Sequence, residues 1–430
     1  MDQRAVRAPG WSVRTTPKLS HSIVLHKPSN WSQALIVTLV VILGLEFWAW
    51  HVIFPLTSQG YADFRQLYVA SYMVRSGHGQ ELYDYDSQLR FENSLVLPTT
   101  IAMRFVRPAY EALLFAPVSW LPYRAAYMAV MGVNAALLLA CFWLLRNRFR
   151  GLAGVWSWLP ALLFWGFYPI SVAFLQGQDS VLLLTILAAA LVFIEKRREM
   201  TAGILVGLGL FKFQIVIPIA ILLLVWRRWR FCAGFAISAA GAACLSVMVI
   251  GLSQALFYAH TLFWLAGKTT PDLARSNYSI GYNVMSNFHG LVFVILRDHM
   301  SGSWVTFISV LLSLGVGLWV AKRTVDKSGP HSFVVAITAA TFLSYYLFLH
   351  DVSILLIPVG TALHRTLEET PNLRSRVIGW CIVLLLWLPP FALFVRASIY
   401  LLAILIGVLL WFLSDMPGQT SPKKLELITA

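Results

Sequence analysis

Long apolar stretches recur along the whole chain, and they limit its fold more than any other feature. Each is about 17 to 25 residues long, the length a helix needs to cross a hydrocarbon core of roughly 30 Å. Of the 430 residues, 58% are hydrophobic and only 12% are charged, whereas a soluble domain carries about 25% charged residues. The chain lacks the polar surface to face water on all sides, so the sequence predicts an integral membrane protein.

The predicted fold is all-α and polytopic, with about ten to twelve transmembrane or half-membrane helices. A basic tail at residues 1–32 precedes one membrane domain at 33–413, and a second tail follows at 414–430. Two polar outer loops are expected, at about 56–121 and 253–302. Basic residues cluster between the apolar runs, so the positive-inside rule places both termini in the cytoplasm of a plasma-membrane protein. The formal net charge of +14 therefore reflects topology and does not indicate a nucleic-acid partner.

Two stretches of the membrane domain differ in pattern. Residues 152–175 predict one continuous span. Residues 201–226 have basic residues on both flanks, and Lys212 interrupts them in the middle. This pattern predicts two short helices that meet near Lys212 and return to the same side of the membrane, as broken helices beside polar cavities do.

Asp63 is the acidic residue that follows the first span most closely. The sequence after it predicts a helix over 64–76 with Asp63 near its N-cap, so capping is one interpretation of this carboxylate. The alternative is a carboxylate at the outer rim of the membrane that deprotonates an acceptor hydroxyl. The spacing alone does not choose between the two.

Gln178, Asp179 and Lys212 are polar residues inside apolar surroundings. Asp179 could cap the following span, but an acid in that position is costly unless it is paired or faces a wet cavity. Lys212 could snorkel, although it lies far from either basic flank. A cation at that depth suits a phosphate or diphosphate head group, and this interpretation is the one we favour from the sequence.

His350 and Asp351 interrupt another apolar run, and Arg107 closes the first outer loop. The His–Asp pair is either an interfacial helix break or an ionisable pair at the membrane level of Asp63. Arg107 is a candidate for contact with anionic groups. No cysteine or histidine spacing predicts a metal site, and we expect no cofactor.

The first outer loop also carries the pattern DF-x-x-x-Y-x-A, followed by a glycine before LYD. The residues concerned are Asp63, Phe64, Tyr68, Ala70, Gly77, Leu82, Tyr83 and Asp84. Further pieces are RPAYEALLFAPVSWLP, GQDSVLLL, AGILVGLGLFKFQ and LHDVSILLIP. Together they resemble glycosyltransferase family 87, the polyprenyl-phosphate-mannose-dependent mannosyltransferases of the GT-C fold, over residues 60–360.

The resemblance implies a GT-C-type fold and inverting transfer of a hexose, mannose foremost, from a polyprenyl-phosphate donor to a lipid or glycan acceptor at the outer face. It implies that Asp63 is the general base, and Tyr68 belongs to the same motif. Arg107, Lys212 and His350 would then stabilise the leaving phosphate. Gln178, Asp179 and Asp351 complete the substrate-binding candidates.

Two departures from the family pattern bear on the sugar and the acceptor. This chain reads Val106-Arg107-Pro108-Ala109 where family members commonly carry aromatic-x-Pro-Pro or Tyr-Pro-Pro, and Phe213 follows the lysine where family members often carry proline. Two other functions stay open at this stage. One is a flippase or transporter of lipid-linked oligosaccharides, which would need a polar path through the bilayer. The other is a polymerase or ligase of lipid-linked glycans, which would share the same cavity.

Overall fold

The computed structural model describes residues 30–265, 284–325, 327, 329–368, 372–392, 394–395 and 397–416. Across these ranges the regular elements are helices, without a strand, so the predicted all-α polytopic fold is confirmed. The helices are α1 Asn30–Leu56, α2 Phe64–Arg75, α3 Tyr85–Leu95, α4 Ala109–Phe115, α5 Tyr123–Leu145, α6 Arg150–Val155, α7 Leu159–Trp165, α8 Tyr168–Leu175, α9 Ser180–Glu195, α10 Glu199–Leu208, α11 Phe213–Val225, α12 Trp229–Leu265, α13 Phe288–Leu296, α14 Gly302–Thr324, α15 Gly329–Leu343, α16 Leu356–Glu368, α17 Leu373–Phe391 and α18 Ala397–Asp415.

The outer surface of the helical bundle is apolar. In the described part of the chain, seven helical segments are long and apolar enough to cross a membrane. Phe47 on α1 and Met248 on α12 each leave 80% of their surface exposed. Large apolar side chains exposed to this degree on several helices are stable only against lipid. The chain is therefore a multi-pass membrane protein.

Helices α10 and α11 form a hairpin inside the bundle. A short 3-10 turn, Gly209–Lys212, separates them. By length Glu199–Val225 could be one span, but Arg228 Nη1 lies 3.0 Å from Glu199 Oε1 and so joins the two ends of the segment. The prediction of two short helices that meet near Lys212 and return to the same side is confirmed.

Small residues allow α10 to lie close beside the first half of α12. A Cβ added to Gly203 would lie 2.0 Å from the Phe231 carbonyl oxygen, and one added to Gly234 would lie 2.1 Å from that of Met200. Gly203 and Gly207 form a small-xxx-small pattern, which lets membrane helices approach at backbone distance. This packing holds the hairpin and therefore fixes the depth of Lys212.

The predicted continuous span at 152–175 is wrong. The structure divides it into α6, α7 and α8, three helices of six to eight residues. Pro160 and Pro169 lie in the first turns of α7 and α8, where proline's missing N–H costs nothing, and Gly166 ends α7. The chain therefore turns twice before it reaches Gln178.

The outer loops are more helical than their composition indicates. The first contains α2, α3 and α4. The second was expected to begin at residue 253, but α12 continues to Leu265 across a kink at Gly251, whose φ is +79°. The predicted tails 1–32 and 414–430 lie almost wholly outside the described residues, as does 266–283 of the second loop.

Two apolar clusters form the interior. The main cluster fills the bundle and includes Leu39, Phe164, Val181, Ile215, Phe333 and Leu356. The loop cluster lies under the first outer loop and includes Phe64, Tyr68, Phe105, Tyr123, Tyr127 and Ile250. Asp63 directly precedes Phe64 of the loop cluster, and Asp179 lies two residues before Val181 of the main cluster. The polar residues identified from the sequence thus lie where the two clusters meet.

Candidate active site

Asp63 lies at the N-terminus of α2, as predicted, but its carboxylate does not cap that helix. No backbone N–H of α2 donates to it. Instead the Gln178 side-chain amide Nε2 donates to Asp63 Oδ2 over 2.7 Å. The capping interpretation therefore does not explain this carboxylate, and its contact with a distant turn leaves the functional interpretation.

The turn at 176–179 is docked against the start of α2. Gln176 Oε1 accepts from the Asp63 backbone N–H at 2.9 Å, and its carbonyl oxygen accepts from the Phe64 N–H at 2.9 Å. Gly177 has a φ of +59°, and a Cβ there would lie 2.6 Å from Phe64 Cβ. Only glycine combines that left-handed backbone with so close an approach. The turn is thereby fixed with Gln178 facing Asp63.

Arg107 connects this turn to the middle of the site. Its Nη2 donates to Gln178 Oε1 over 2.7 Å, and its Nη1 donates to Glu111 Oε1 over 2.8 Å and also to Asp179 Oδ2. Pro108 is the N-cap residue of α4, so Arg107 directly precedes the helix whose Glu111 it contacts. One guanidinium therefore holds an amide and two carboxyl groups.

Lys212 lies between two carboxylates. Its Nζ is 2.9 Å from Asp179 Oδ1 and 2.6 Å from Asp351 Oδ1. Ser180 Oγ donates to Asp351 Oδ1 over 3.1 Å, and His350 Nε2 is 3.5 Å from the same oxygen. At the break between α10 and α11, Lys212 thus contacts Asp179 at the start of α9 and Asp351 shortly before α16. Because its ammonium group is paired there, Lys212 does not snorkel.

Seven of the eight residues identified from the sequence form one continuous polar network. It runs in the order Asp63, Gln178, Arg107, Asp179, Lys212, Asp351 and His350. Tyr68 is the exception. Its hydroxyl donates to the Leu121 carbonyl oxygen over 2.9 Å, and its ring packs on Tyr123 in the loop cluster. Tyr68 supports the loop and does not reach the network.

Burial and ion pairing act against each other in the centre of the network. Burial favours the neutral form of Asp179, but Arg107 and Lys212 outweigh it and hold the pKa of this carboxyl below its usual value. Burial likewise opposes ionisation of Asp351, and Lys212 lowers its pKa. For His350 burial dominates and lowers the pKa, so its imidazole is neutral at pH 7.

A cavity of about 1050 Å³ opens beside the network. At one end it is lined by Asp63, Arg107, Lys212 and His350. At the other end its walls are apolar and come from α11, α14 and α15, with Ile221, Leu314 and Leu343 among them. A cavity that is polar at one end and apolar along its length fits an amphipathic ligand.

Several residues of the site were not singled out from the sequence. Glu111 and Asn134 contact the network, and Tyr346 and Phe348 line the cavity in ring contact with one another. Glu111 follows Arg107 by four residues at the start of a helix, and this spacing is a signal for such a pair. The aromatic residues gave no comparable signal, because apolar runs rich in rings occur throughout the chain.

Within the described ranges, no group of three or more His, Cys, Asp or Glu residues is arranged to hold a metal ion. Asp179 and Asp351 have organic cations as partners.

Comparison with known proteins gives one match. A family model described as Glycosyltransferase family 87 matches residues 105–358, which is more than half of the chain. No match was found among curated proteins or among solved structures. The matched range includes the network from Arg107 to Asp351 but not Asp63, which joins the network only through the fold.

Proposed function

Because the chain belongs to glycosyltransferase family 87 and is a membrane glycosyltransferase, we propose that it transfers a hexose from a polyprenyl-phosphate donor to a lipid or glycan acceptor. Mannose is the first sugar to test. One observation carries the proposal. The carboxylate of Asp63, contacted by a neutral amide, lies at the polar end of a cavity whose other end is apolar.

The shape and lining of the cavity support a lipid-linked donor. Helix α11 extends from the network for about 20 Å, at 1.5 Å per residue. Along it Ile217 and Ile221 leave 41% and 54% of their surface exposed, and Leu314 on α14 faces the same cavity and is 61% exposed. An isoprenoid chain would cover these side chains while its phosphate reaches Lys212 and Arg107. The donor could thus enter from the bilayer and not from water.

In the proposed reaction Asp63 acts as the general base. The acceptor hydroxyl oxygen attacks the anomeric carbon, and its proton passes to the Asp63 carboxylate. The bond between the anomeric carbon and the phosphate oxygen breaks, and its electron pair leaves with the polyprenyl phosphate. Attack opposite to the leaving group inverts the anomeric centre and requires no covalent sugar–enzyme intermediate.

The leaving phosphate needs hydrogen-bond donors but no strong acid. Lys212 donates a hydrogen bond to Asp351 and lies in an ion pair with Asp179, which leaves it further N–H donors, and Arg107 keeps N–H groups beyond those that hold Gln178 and the carboxyl groups. Both side chains line the cavity, and the neutral imidazole of His350 lies beside them. These remaining donors would stabilise the charge that develops on the phosphate.

The orientation of the protein in the membrane belongs to the same proposal. The ion pair between Glu199 and Arg228 lies at the end of the bundle where basic clusters flank the helices. The positive-inside rule assigns that end to the cytoplasm. Asp63 and the helical first loop would then lie at the outer face of the plasma membrane, where a lipid-linked donor and its acceptor would meet.

The direct test is transfer of a labelled sugar. Membranes containing the protein are incubated with polyprenyl phosphate carrying radiolabelled mannose, and the extracted lipids and glycans are separated. We expect label in a new product and none with Asp63→Asn. Product analysis distinguishes a single-sugar transfer from the polymerase or ligase alternative. Movement of a lipid-linked sugar across vesicles without any transfer would overturn the proposal and support a transporter.

A further inference from the structure

Glu111 occupies a place in the network that neither the resemblance nor the proposed reaction explains. It lies in the first turn of α4, and its side chain is fully buried, with 0% exposed. Its Oε1 accepts from Arg107 Nη1, the same nitrogen that donates to Asp179. Two carboxyl groups therefore meet at one guanidinium nitrogen in the interior of a membrane protein.

The charges in this region do not balance if every acid is ionised. Arg107 and Lys212 bring two positive charges, and Asp179 and Asp351 match them. An ionised Glu111 would add a third negative charge, and the contacts of the described residues include no third cation to balance it. An unpaired buried charge destabilises the folded protein by roughly several kcal/mol. Two neighbouring carboxyl groups avoid this cost when they share one proton.

One oxygen of Glu111 points to the same conclusion. Its Oε2 is buried. If both acids are ionised, this oxygen has no hydrogen-bond partner within the described part of the chain. The Asp179 carboxyl group lies within hydrogen-bond reach of Glu111. A proton on Glu111 would satisfy both groups, because a carboxylic acid donates to the neighbouring carboxylate.

We propose that Glu111 is held as the neutral carboxylic acid, donates its proton to Asp179, and in this form positions Arg107. Arg107 in turn orients the Gln178 amide that contacts Asp63. Glu111 is thus a positioning residue that acts through Arg107. This second part depends on the proposed function, whereas the protonation of Glu111 does not.

The surroundings of Glu111 agree with its neutral form. Burial raises its pKa well above the usual value, the nearby Asp179 carboxylate raises it further, and Arg107 opposes both. The other titratable groups that face it are Tyr83, Tyr110 and Tyr258, from the first loop, α4 and α12. These phenols are neutral at pH 7 and bring no charge that would compensate an ionised Glu111.

The direction of the pH dependence follows. A carboxyl group whose pKa is raised in the folded protein keeps its proton at neutral pH and loses it as the pH rises through the folded pKa. The positioning that neutral Glu111 provides is therefore present at low and neutral pH and disappears on the alkaline side. The stability linked to its proton is full below the unfolded pKa of a glutamate and is lost as the pH rises through the folded pKa. Transfer by the wild-type protein should fall there.

Three substitutions test the role in transfer. Glu111→Leu removes the donor, and we expect transfer to fall by about tenfold or more, as for other residues that orient a catalytic group. Glu111→Gln keeps a neutral donor of the same shape, and it should recover most of that loss. It should also remove the alkaline decline. Glu81→Gln in the first loop, an exposed carboxylate beside Arg90, is the control and should leave transfer unchanged.

An infrared spectrum of the purified protein tests the protonation without any activity. The difference between the wild-type and Glu111→Gln spectra should contain the carbonyl stretch of one buried protonated acid, and the difference between the wild-type and Glu81→Gln spectra should lack it, because every other protonated acid cancels in both. Thermal unfolding of each variant shows whether it is folded. The inference is overturned if the wild-type minus Glu111→Gln difference spectrum of the folded proteins lacks that band, or if Glu111→Gln transfers no better than Glu111→Leu. If the wild type transfers no sugar, the proposed function fails while the infrared result still decides the state of Glu111.

Discussion

The centre of the polar network and its edge at Asp63 differ in the groups that contact their carboxylates. At the centre, Asp179 and Asp351 contact Lys212, and Asp179 also contacts Arg107. At the edge, Asp63 accepts one hydrogen bond from the neutral amide of Gln178. A carboxylate paired with a cation loses much of its basicity, because the cation stabilises the charged form. The Gln178 amide brings no positive charge to Asp63.

This difference assigns different tasks to residues of the same chemical type. The paired carboxylates stabilise the junction between the starts of α9 and α16 and the break between α10 and α11. Asp63 lies outside that balance and lines the cavity, where the proposed function requires an acceptor hydroxyl. Removal of a central charge should therefore weaken folding, and for Lys212 or Arg107 it should also weaken the proposed stabilisation of the leaving phosphate. Removal of the charge on Asp63 should affect mainly chemistry.

The largest effect is expected at Asp63. Asp63→Asn keeps the shape of the side chain but removes the base, so sugar transfer should fall by about 10²- to 10⁴-fold. The melting temperature of the purified protein should stay close to the wild-type value. Asp84→Asn is the matched control, since Asp84 caps α3 by accepting from the Ser87 N–H at 2.8 Å. Transfer by Asp63→Asn at the rate of this control would exclude Asp63 as the base.

At the centre the expected loss is in folding. Lys212→Met leaves Asp179 and Asp351 buried without their shared cation, and the free energy of unfolding should fall by about 3–5 kcal/mol. Denaturant unfolding in detergent measures it. Adding Asp351→Asn to Lys212→Met should restore part of that loss, because it removes the carboxylate that Lys212→Met leaves without a cation, whereas Asp179 keeps Arg107. The exposed Lys196→Met should change the free energy by less than about 0.5 kcal/mol. Equal stability of Lys212→Met and wild type would contradict the structural role of this lysine.

Gln178 connects Asp63 at the edge to Arg107 at the centre, so its substitution should have an intermediate effect on sugar transfer. Gln178→Leu removes the hydrogen bonds that Gln178 makes to Asp63 and to Arg107, at a cost of about 1–3 kcal/mol. If this cost appears in the transition state, transfer falls by about 5- to 150-fold. Initial rates across donor concentrations should show the loss mainly in kcat. Gln80→Leu, an exposed position in the first loop, is the control. An unchanged kcat in Gln178→Leu would show that Asp63 needs no orientation by this amide.

The smallest effect is expected at Tyr68, which shares the sequence motif of Asp63 but not its site. Tyr68→Phe removes the hydrogen bond to the Leu121 carbonyl oxygen, so stability should fall by about 0.5–1.5 kcal/mol. Sugar transfer by the folded variant should match the wild type. A selective loss of transfer at unchanged stability would return Tyr68 to the substrate-binding residues.

The sequence identified the members of the network because apolar surroundings make polar residues conspicuous. Lys212 interrupts an apolar segment, and Gln178 and Asp179 fill a short turn between two others. An ionisable group in such a position is costly unless a partner or a cavity compensates it. The sequence could not identify the partners, since pairing of Lys212 with Asp351 depends on how deep the α10–α11 hairpin reaches.

Two sequence-based errors have local physical reasons. The continuous span at 152–175 is broken by Pro160 and Pro169, which begin new helices in a stretch whose hydropathy is uniform. Tyr68 was grouped with Asp63 because both belong to one motif. Five residues apart along the chain, the two residues point in different directions, and the hydroxyl of Tyr68 finds a backbone partner under the loop.

The sequence by itself determined that this chain is a multi-pass helical membrane protein of glycosyltransferase family 87, because the length of an apolar run and the motifs of a family are properties of the chain alone. The tertiary structure decided which charges cancel. Coulombic pairing depends on distances of a few ångströms between residues far apart in sequence, such as Arg107 and Asp179 or Lys212 and Asp351. Only those distances separate the carboxylates that stabilise the fold from Asp63, the one proposed to take the proton.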